Sequence, residues 1–145
     1  MNPKAEPEGI GPHCDFPIRV RYAETDQMGV AYYANYFVWF EVGRAEFCRR
    51  RGFSYESMER ETDSFLAVVD AHCRYRAPLR YDCEFIVRTR LKAFHNRTVT
   101  FSYQLLEPET NRVYAEGETM HVITGSDGRP KLFPEQYRKF FVNEQ

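Results

Sequence analysis

The stretch that decides the fold of this chain is RVRYAETDQMGVAYYANYFVWFEVGRAE, residues 19–46. It begins with the end of an alternating strand and passes through a short polar connection, AETDQMG, that closes on Gly29. It then becomes apolar with a helical period. A strand, a turn and an apolar helix therefore follow one another directly, and the rest of the sequence has to supply a sheet that covers the helix.

The helix is predicted from about Tyr32 or Tyr33 to Arg51, because this range contains no proline and its apolar residues recur at helical spacing. Its first half is apolar on almost every side, which predicts burial on most sides. Its second half turns polar and ends in three consecutive arginines followed by Gly52. Positive charge favours the C-terminal end of a helix and glycine often caps it, so the helix is expected to end near Arg51.

Alternation with a period of two predicts five strands around this helix. One precedes the helix at residues 16–22, and four follow a connector at residues 53–62 that is predicted as helical or irregular. The four later strands are residues 64–75, 83–93, 99–105 and 113–123. In the first of these four, one face is predicted to carry Phe65, Ala67, Val69, Ala71, Cys73 and Tyr75.

Successive strands usually lie side by side, so the four later strands are predicted to pair antiparallel in chain order. The fold class is therefore α+β, with a curved antiparallel β-sheet wrapped around one long central α-helix. A length of 145 residues suits a single domain, which is predicted at residues 16–145. Residues 1–15 contain several prolines and few apolar side chains, and we expect them to form a flexible N-terminal tail.

Composition disfavours several classes of function. A formal net charge of -1 gives no overall attraction to nucleic acid or to an anionic membrane. No apolar run approaches the roughly 18 residues needed to span a bilayer, and no apolar signal segment opens the sequence. The histidines and cysteines share no metal-binding spacing. We therefore expect free thiols, no metal site and a cytoplasmic protein.

Two segments carry a resemblance to a known family. The run RYAETDQMGVAYYANYFVWFEVGRAEF, residues 21–47, resembles the signature of the hotdog-fold acyl-CoA thioesterases, specifically the 4-hydroxybenzoyl-CoA thioesterase family, in which R-Y-x-E-T-D-x-x-G precedes the central helix. The run RYRAPLRYDCEFIV, residues 74–87, is similar to the Y-x-x-P-x-x-x-D segment of that family. The likeness implies the hotdog fold, hydrolysis of coenzyme A thioesters, and a homo-oligomer, dimer or tetramer, with sites at the subunit interface. Coenzyme A is then part of the substrate, and no separate cofactor is expected.

Asp26 is the residue on which we expect the chemistry to depend. One carboxylate beside a polarised thioester carbonyl can either deprotonate a water molecule or add to the carbonyl directly. From the residues alone, Asp26 has a second reading, because aspartate often shapes a turn of the kind that ends at Gly29. The resemblance places Asp26 at the position of the family's catalytic carboxylate and leaves its role as base or nucleophile open.

Polarisation of the carbonyl is expected from the start of the helix. The first turn of a helix has unpaired backbone N–H groups and a partial positive charge, both of which suit a developing oxyanion. The resemblance implies that the donor is the backbone N–H of Tyr33, with Gly29 allowing close approach of the substrate. The alternative for the Tyr33 side chain is ordinary core packing.

The remaining candidates would bind substrate. Thr25, beside the acid together with Glu24, is a supporting residue, and Tyr32, Asn35 and Tyr36 are candidates for the acyl pocket. Core packing for the tyrosines, or a hydrogen bond at the helix start for Asn35, is the alternative. A nearly neutral protein needs a local basic patch for the phosphates of coenzyme A. Candidates for that patch are Arg88, Arg90 and Arg97, whose alternative is a solvated sheet face.

Three other functions remain open within this fold. They are hydrolysis of acyl groups from acyl carrier protein, hydration or dehydration of an acyl thioester, and acyl-CoA binding without catalysis. The hydration branch uses a histidine in a His-Phe or His-Pro context, and no histidine of this chain has that setting. A serine nucleophile in G-x-S-x-G is absent from the sequence as well. The identity of the acyl group stays undetermined at this stage.

Overall fold

The computed structural model describes residues 9–142. Five antiparallel strands form one curved sheet in the order β1-β3-β4-β5-β2. The strands are β1 (Cys14–Arg19), β2 (Phe65–Tyr75), β3 (Glu84–Phe94), β4 (Thr98–Leu106) and β5 (Val113–Thr124). The helices are α1 (Asn35–Arg50), α2 (Tyr55–Thr62) and α3 (Glu135–Arg138), with a 3-10 turn at Tyr22–Glu24. The α+β class and the sheet around a central helix are confirmed.

The predicted pairing of the later strands in chain order is wrong for β2. This strand pairs with β5, and β3 pairs with β1 on its other side. Residues 76–83 connect β2 to β3 across the end of the sheet. A period-two pattern reports which face of a strand is buried but not which strand lies beside it, so the sequence held no signal for this crossover.

The chain enters the sheet earlier than predicted. β1 begins at Cys14, which is buried, and the backbone N–H of Ile10 donates to the carbonyl of Leu91 at 2.7 Å. Residues 9–15 therefore pack against β3 instead of forming part of a flexible tail, while residues 1–8 lie outside the described range. At the other end, Tyr22 has left the strand and is exposed in the 3-10 turn.

The face predicted for β2 is interrupted by a bulge between Val68 and Asp70. Before the bulge, Leu66 lies opposite the buried Ile123, whereas after it Ala71 lies opposite the buried Thr119. One extra residue in a strand reverses which side chains face the core. The prediction that residues from Phe65 to Tyr75 share one face is therefore wrong for the first part of the strand.

Helix α1 lies on one face of the sheet and forms the centre of the core. Its buried residues are Tyr36, Trp39, Phe40, Gly43, Phe47 and Cys48. The sheet supplies a matching apolar surface, and the Phe40 ring stacks on Tyr103 at 4.3 Å between centroids. Each large side chain buried in this way contributes about 1.5–3 kcal/mol. Burial on most sides was too strong a prediction, because Val38 is 48% exposed and Glu41 is also exposed.

The ends of α1 differ from the prediction by one to three residues. The helix begins at Asn35 and ends at Arg50, and Gly52 follows with a φ of 105°. The connector after it is helical, with Ser54 accepting a hydrogen bond from the backbone N–H of Ser57 at the start of α2. The short C-terminal helix α3 places Tyr137 in the core, where its ring contacts Phe53.

His121 on β5 is fully buried and lies near the guanidinium of Arg44. Its Nε2 is 2.8 Å from the hydroxyl oxygen of Thr119, and its ring meets the edge of Phe101. Burial, together with the positive charge of Arg44, lowers the pKa of His121 from 6.5 to about 4. The imidazole is therefore neutral in the folded protein at physiological pH.

We expect this histidine to make the fold sensitive to acid. Between the unfolded pKa of 6.5 and the folded pKa of about 4, the unfolded chain binds one more proton, so unfolding becomes more favourable as the pH falls through this window. The loss should be about 2 to 3 kcal/mol between pH 7 and pH 4. Urea unfolding of wild type and His121→Gln at several pH values measures it. Equal pH dependence in the two proteins would contradict the prediction.

Candidate active site

The residues before α1 fold into a tight two-stranded turn. The N–H of Tyr32 donates to the carbonyl of Glu24 at 2.8 Å, Thr25 pairs with Ala31, and the N–H of Asp26 donates to Val30 at 2.9 Å. The turn is also tied to the connector between β2 and β3. There the N–H of Ala31 donates to the carbonyl of Leu79 at 2.7 Å, and Val30 bridges to Arg80. This double attachment holds the turn, with Asp26 near its tip, against the body of the domain.

Asp26 shapes this turn and keeps one carboxylate oxygen available. Its Oδ1 accepts a hydrogen bond from the backbone N–H of Met28 at 2.8 Å, and its carbonyl accepts from Gly29 at 3.0 Å. Within residues 9–142, Oδ2 has no hydrogen-bond partner, and the side chain is half-buried. Asp26 can therefore shape the turn through Oδ1 and still take part in the chemistry through Oδ2.

Gly29 occupies a backbone conformation that other residues rarely adopt. Its φ is 77°, and a Cβ atom built at this position would have no heavy atom within 4 Å. The space beside Gly29 is open, as the predicted clearance for a substrate requires. A side chain here would strain the backbone whatever room it had.

The start of α1 presents two free backbone donors. The amides of Asn35 and Tyr36 are paired with the carbonyls of Tyr32 and Tyr33, at 3.0 and 3.3 Å. In the described part of the chain, the N–H groups of Tyr33 and Ala34 have no acceptor. Unpaired amides at the positive end of a 16-residue helix are suited to bind an oxyanion. The predicted donor, the N–H of Tyr33, is thus free to donate a hydrogen bond to an oxyanion.

Tyrosines surround a cavity of about 300 Å³ beside the helix start. Its wall includes Tyr33, Tyr36 and Tyr75, together with Val30, Ala77 and Pro78. The hydroxyl of Tyr75 donates to the carbonyl of Tyr33 at 2.8 Å, and its ring meets that of Tyr36 at 4.7 Å between centroids. This volume lies at the lower end of the range typical of ligand sites.

The acyl-pocket candidates separate into two groups. Tyr36 is buried and lines the cavity, while Tyr33 is 59% exposed, which rules out ordinary core packing for its ring. The ring of Tyr32 lies tilted against that of Tyr33 but is not among the residues around the cavity. Asn35 donates from Nδ2 to the carbonyl of Glu24 at 2.8 Å, and the Thr25 hydroxyl donates to Tyr22 at 2.7 Å. These two polar side chains therefore stabilise the turn itself.

The three arginines proposed for the phosphates are not brought together with Asp26 within one chain. Arg88 makes two hydrogen bonds to Asp15, at 2.8 and 2.9 Å, on the sheet face opposite α1. Arg90 shares that face and lies 3.4 Å from His13. Arg97 is exposed in the turn between β3 and β4, at the far end of the sheet, roughly 25 Å along β5 from the level of Tyr75.

Two basic residues that lie nearer to the turn, Arg76 and Arg80, were not among the candidates predicted for the phosphates. Arg80 is exposed, and its backbone bridges to Val30 in the turn. Arg76 borders the tyrosine cavity and forms an ion pair with Glu116. Both lie in residues 74–87, the second segment that resembles the family, and this position could have identified them as candidates.

Over the described range, no set of three or more metal-ligating side chains converges, and no helix has the length and hydropathy to cross a bilayer.

The role of Tyr33 is open to a simple test. Because a backbone donor survives replacement of the side chain, Tyr33→Phe is expected to change kcat by less than about threefold, whereas loss of an oxyanion donor typically costs about 10² to 10³ in kcat. Steady-state thiol release measures the effect, with the exposed Tyr81→Phe as the matched control. A large loss confined to Tyr33→Phe would mean that the phenol itself takes part.

Comparison with known proteins places this geometry in context. A family model described as the thioesterase-like superfamily matches residues 20–141. YneP of Bacillus subtilis, provisionally named an acyl-CoA thioesterase, is 35% identical over 124 residues, or 86% of each chain. YbgC of Escherichia coli O6:H1, named an acyl-CoA thioester hydrolase, is 30% identical over 83% of this chain and 89% of its own. The crystal structure of a DHNA-CoA thioesterase from Staphylococcus aureus has a TM-score of 0.83 at 27% identity and covers 89% of this chain and 88% of that one.

Proposed function

This chain belongs to the thioesterase-like superfamily, and we propose that it hydrolyses an acyl-CoA or aroyl-CoA thioester to the free acid and coenzyme A. The observation that carries this function is the pair of unpaired amides at Tyr33 and Ala34, which lie immediately before α1 and after the turn that holds Asp26. Coenzyme A enters as part of the substrate and is not a resident cofactor.

In the proposed reaction the thioester carbonyl oxygen accepts a hydrogen bond from the N–H of Tyr33. Asp26 then acts through Oδ2, either by removing a proton from water or by adding to the carbonyl carbon. In the first route, hydroxide adds, the tetrahedral intermediate expels the coenzyme A thiolate, and the proton held by Asp26 neutralises it. In the second route, Oδ2 adds to the carbonyl carbon, the C–S bond breaks with release of the coenzyme A thiolate, and an acyl-enzyme anhydride remains. Water then hydrolyses the anhydride to the free acid and the Asp26 carboxyl, whose proton neutralises the thiolate. Both routes end with the free acid and the thiol.

The cavity beside Tyr36 supports an acyl group with an aromatic ring. Aromatic rings prefer edge-to-face and offset contacts with one another, and Tyr33, Tyr36 and Tyr75 already meet in that way. A short aliphatic chain would also fit about 300 Å³ and would pack against the tyrosines, but it would make no aromatic ring-to-ring contacts. The phosphates of coenzyme A would approach the exposed Arg80 beside the turn, and Arg88, Arg90 and Arg97 remain proposals that would need a second subunit.

The function is tested by steady-state release of free thiol from a substrate panel. The panel contains hexanoyl-CoA, benzoyl-CoA, 4-hydroxybenzoyl-CoA and a matched acyl carrier protein thioester. Turnover that saturates with a coenzyme A substrate supports the proposal, and the highest kcat/KM for an aromatic member supports the aroyl form. Preference for the carrier-protein thioester would favour that alternative. Saturable binding without turnover would instead identify an acyl-CoA-binding protein.

A homo-oligomer, dimer or tetramer, is part of the proposal. β2 is an edge strand of 11 residues, and it exposes Val68, Val69 and Tyr75 at 52, 56 and 43%. Long edge strands with apolar side chains are the surfaces through which sheets join. Tyr75 also borders the cavity, so pairing of two β2 edges would bring the second subunit to the site. Such pairing would allow residues of both subunits to line the site.

A lysine at this edge is expected to separate the subunits. Val69→Lys adds a charge where two apolar edges would meet, and charged edge residues oppose pairing. Light scattering should then report a mass near 17.2 kDa, against a multiple of that mass for wild type. The control is Leu132→Lys, which changes a side chain of the same exposure, 56%, that does not belong to β2. An unchanged mass for Val69→Lys would place the interface elsewhere.

A cytoplasmic location completes the proposal. Cys14, Cys48, Cys73 and Cys83 are all free thiols in the described structure. Free thiols are the usual state of cysteine in a reducing compartment. Coenzyme A thioesters, the proposed substrates, would have to be available in the same compartment, and fractionation of the native host tests the location.

A further inference from the structure

Glu24 is an acidic residue that is buried, so it cannot be explained as an ordinary solvated surface residue. It is 5% exposed, and it is the only aspartate or glutamate among residues 9–142 that is buried. Removing a carboxylate from water costs several kcal/mol unless hydrogen bonds and charge compensate it. The turn before α1 therefore retains a costly group close to Asp26.

The carboxylate of Glu24 joins the beginning of the turn to the body of the helix. Its Oε2 accepts from the indole Nε1 of Trp39 at 2.8 Å. Its Oε1 accepts from the backbone N–H of Arg21 at 2.8 Å and lies 3.3 Å from the Arg21 guanidinium. Trp39 is itself fixed, because it is 2% exposed and packs against Phe85 with the ring centroids 4.7 Å apart.

The backbone of the same residue joins the two parts of the proposed site. The carbonyl of Glu24 accepts from the N–H of Tyr32 and from Nδ2 of Asn35, both at 2.8 Å. Asp26 lies two residues after Glu24, and Tyr33 lies between Tyr32 and Asn35 in the chain. Apart from the contacts with Arg21, the hydrogen bonds of Glu24 therefore end beside the amide of Tyr33 or on α1.

We propose that Glu24, held by Trp39, is a positioning residue that sets the distance between the Asp26 carboxylate and the amides at the start of α1. This inference rests on the proposed thioesterase function. A misplacement of about 1 Å between reacting groups costs about 10²-fold in rate. A carboxylate is required at this position because both of its oxygens face donors, whereas a glutamine would turn its NH₂ group toward one of them.

The test compares Glu24→Gln and Trp39→Phe in the full chain. Each is expected to lower kcat by about 10- to 100-fold while KM changes by less than about threefold, because reacting groups are misplaced but the substrate surface is kept. Thermal unfolding establishes that each variant is folded at the assay temperature. Trp39→Phe keeps an aromatic core residue and the carboxylate, so it decides the question if Glu24→Gln does not fold.

Two controls separate positioning from a general effect on the fold. Tyr137→Phe removes a phenol that donates to Glu61 at the opposite end of the domain, and it should lower the unfolding temperature without changing kcat. The second control combines Glu24→Gln with Asp26→Asn. If Glu24 acts by placing Asp26, the loss on top of Asp26→Asn shrinks to less than about twofold, since coupled residues are not additive.

The possible outcomes separate the proposed function from the positioning role of Glu24. Failure of the wild-type protein to release thiol from any member of the substrate panel would overturn the proposed function itself. Near-normal activity in Asp26→Asn would remove Asp26 from the chemistry, and the positioning role of Glu24 with it. Activity that is lost in Asp26→Asn, but unchanged in Glu24→Gln and Trp39→Phe, would overturn only the positioning role. Additive losses in the double variant, or a rise in KM with kcat preserved, would also overturn it and would leave Glu24 as a residue that stabilises the turn.

Discussion

Asp26→Asn is expected to lower kcat by about 10² to 10⁴-fold while leaving the protein folded, because an amide can neither take a proton from water nor add to a thioester. The turn should survive, since an asparagine side chain can present its own oxygen to the Met28 N–H that now donates to Oδ1 at 2.8 Å. Thiol release with the best substrate of the panel measures the rate. Thermal unfolding measures the fold.

The chain offers a matched control for this substitution. Asp127 also accepts, through Oδ1, a hydrogen bond from the backbone N–H two residues later, Arg129, at 2.9 Å. It lies in the turn after β5, at the opposite end of the sheet from Asp26. Asp127→Asn repeats the same chemical change in the same kind of turn and should leave kcat unchanged. Near-normal turnover in Asp26→Asn would remove Asp26 from the chemistry.

The largest expected effect on stability comes from Gly117→Ala. A Cβ at Gly117 would lie 2.4 Å from the backbone carbonyl oxygen of His72 on the neighbouring strand and 2.7 Å from the ring of Phe40. The carbonyl belongs to a paired strand and the ring is fully buried against Tyr103, so neither can move freely. We expect a loss of about 3 kcal/mol in the free energy of unfolding, at the upper end for overpacking.

Urea denaturation of Gly117→Ala and of a second glycine variant measures this effect. At Gly125 the nearest atoms to an added Cβ are carboxylate oxygens of Asp127 and Asp63, at 3.1 and 3.3 Å. Both are ends of side chains that can shift, so Gly125→Ala should cost less than about 1 kcal/mol. Similar losses in the two variants would show that close approach of α1 and β2 at Gly117 does not limit stability.

Much of the fold was predictable because it depends on local patterns. Phe85, Val87 and Leu91 alternate along β3 and are all buried as expected, and the same holds for Val99 and Phe101 on β4. The helix was recognisable from its period, although it begins at Asn35 rather than at Tyr32 or Tyr33. This difference of two or three residues has a physical reason, because Tyr32 pairs with Glu24 in the turn before the helical hydrogen bonds begin.

The candidate site was predictable only where it lies within one stretch of chain. Asp26, Gly29 and the amide of Tyr33 fall within eight residues, and the structure places them in one turn and the helix start. Arg88 looked like a phosphate ligand because it stands on a basic strand face, yet it is paired with Asp15, a residue 73 positions away. The sequence pattern of β3 therefore gives no indication that Arg88 pairs with Asp15.

The sequence by itself determined that a strand, an acidic turn and an apolar helix follow one another, because side-chain periodicity and turn chemistry act over a few residues. Only the tertiary structure decided that β2 crosses to pair with β5, that Tyr75 closes a cavity over Tyr33, and that the carboxylate of Glu24 is buried against Trp39. These contacts join residues 15 to 59 positions apart. They form only when the whole sheet closes around α1, so the spacing of residues within one stretch of sequence cannot predict them.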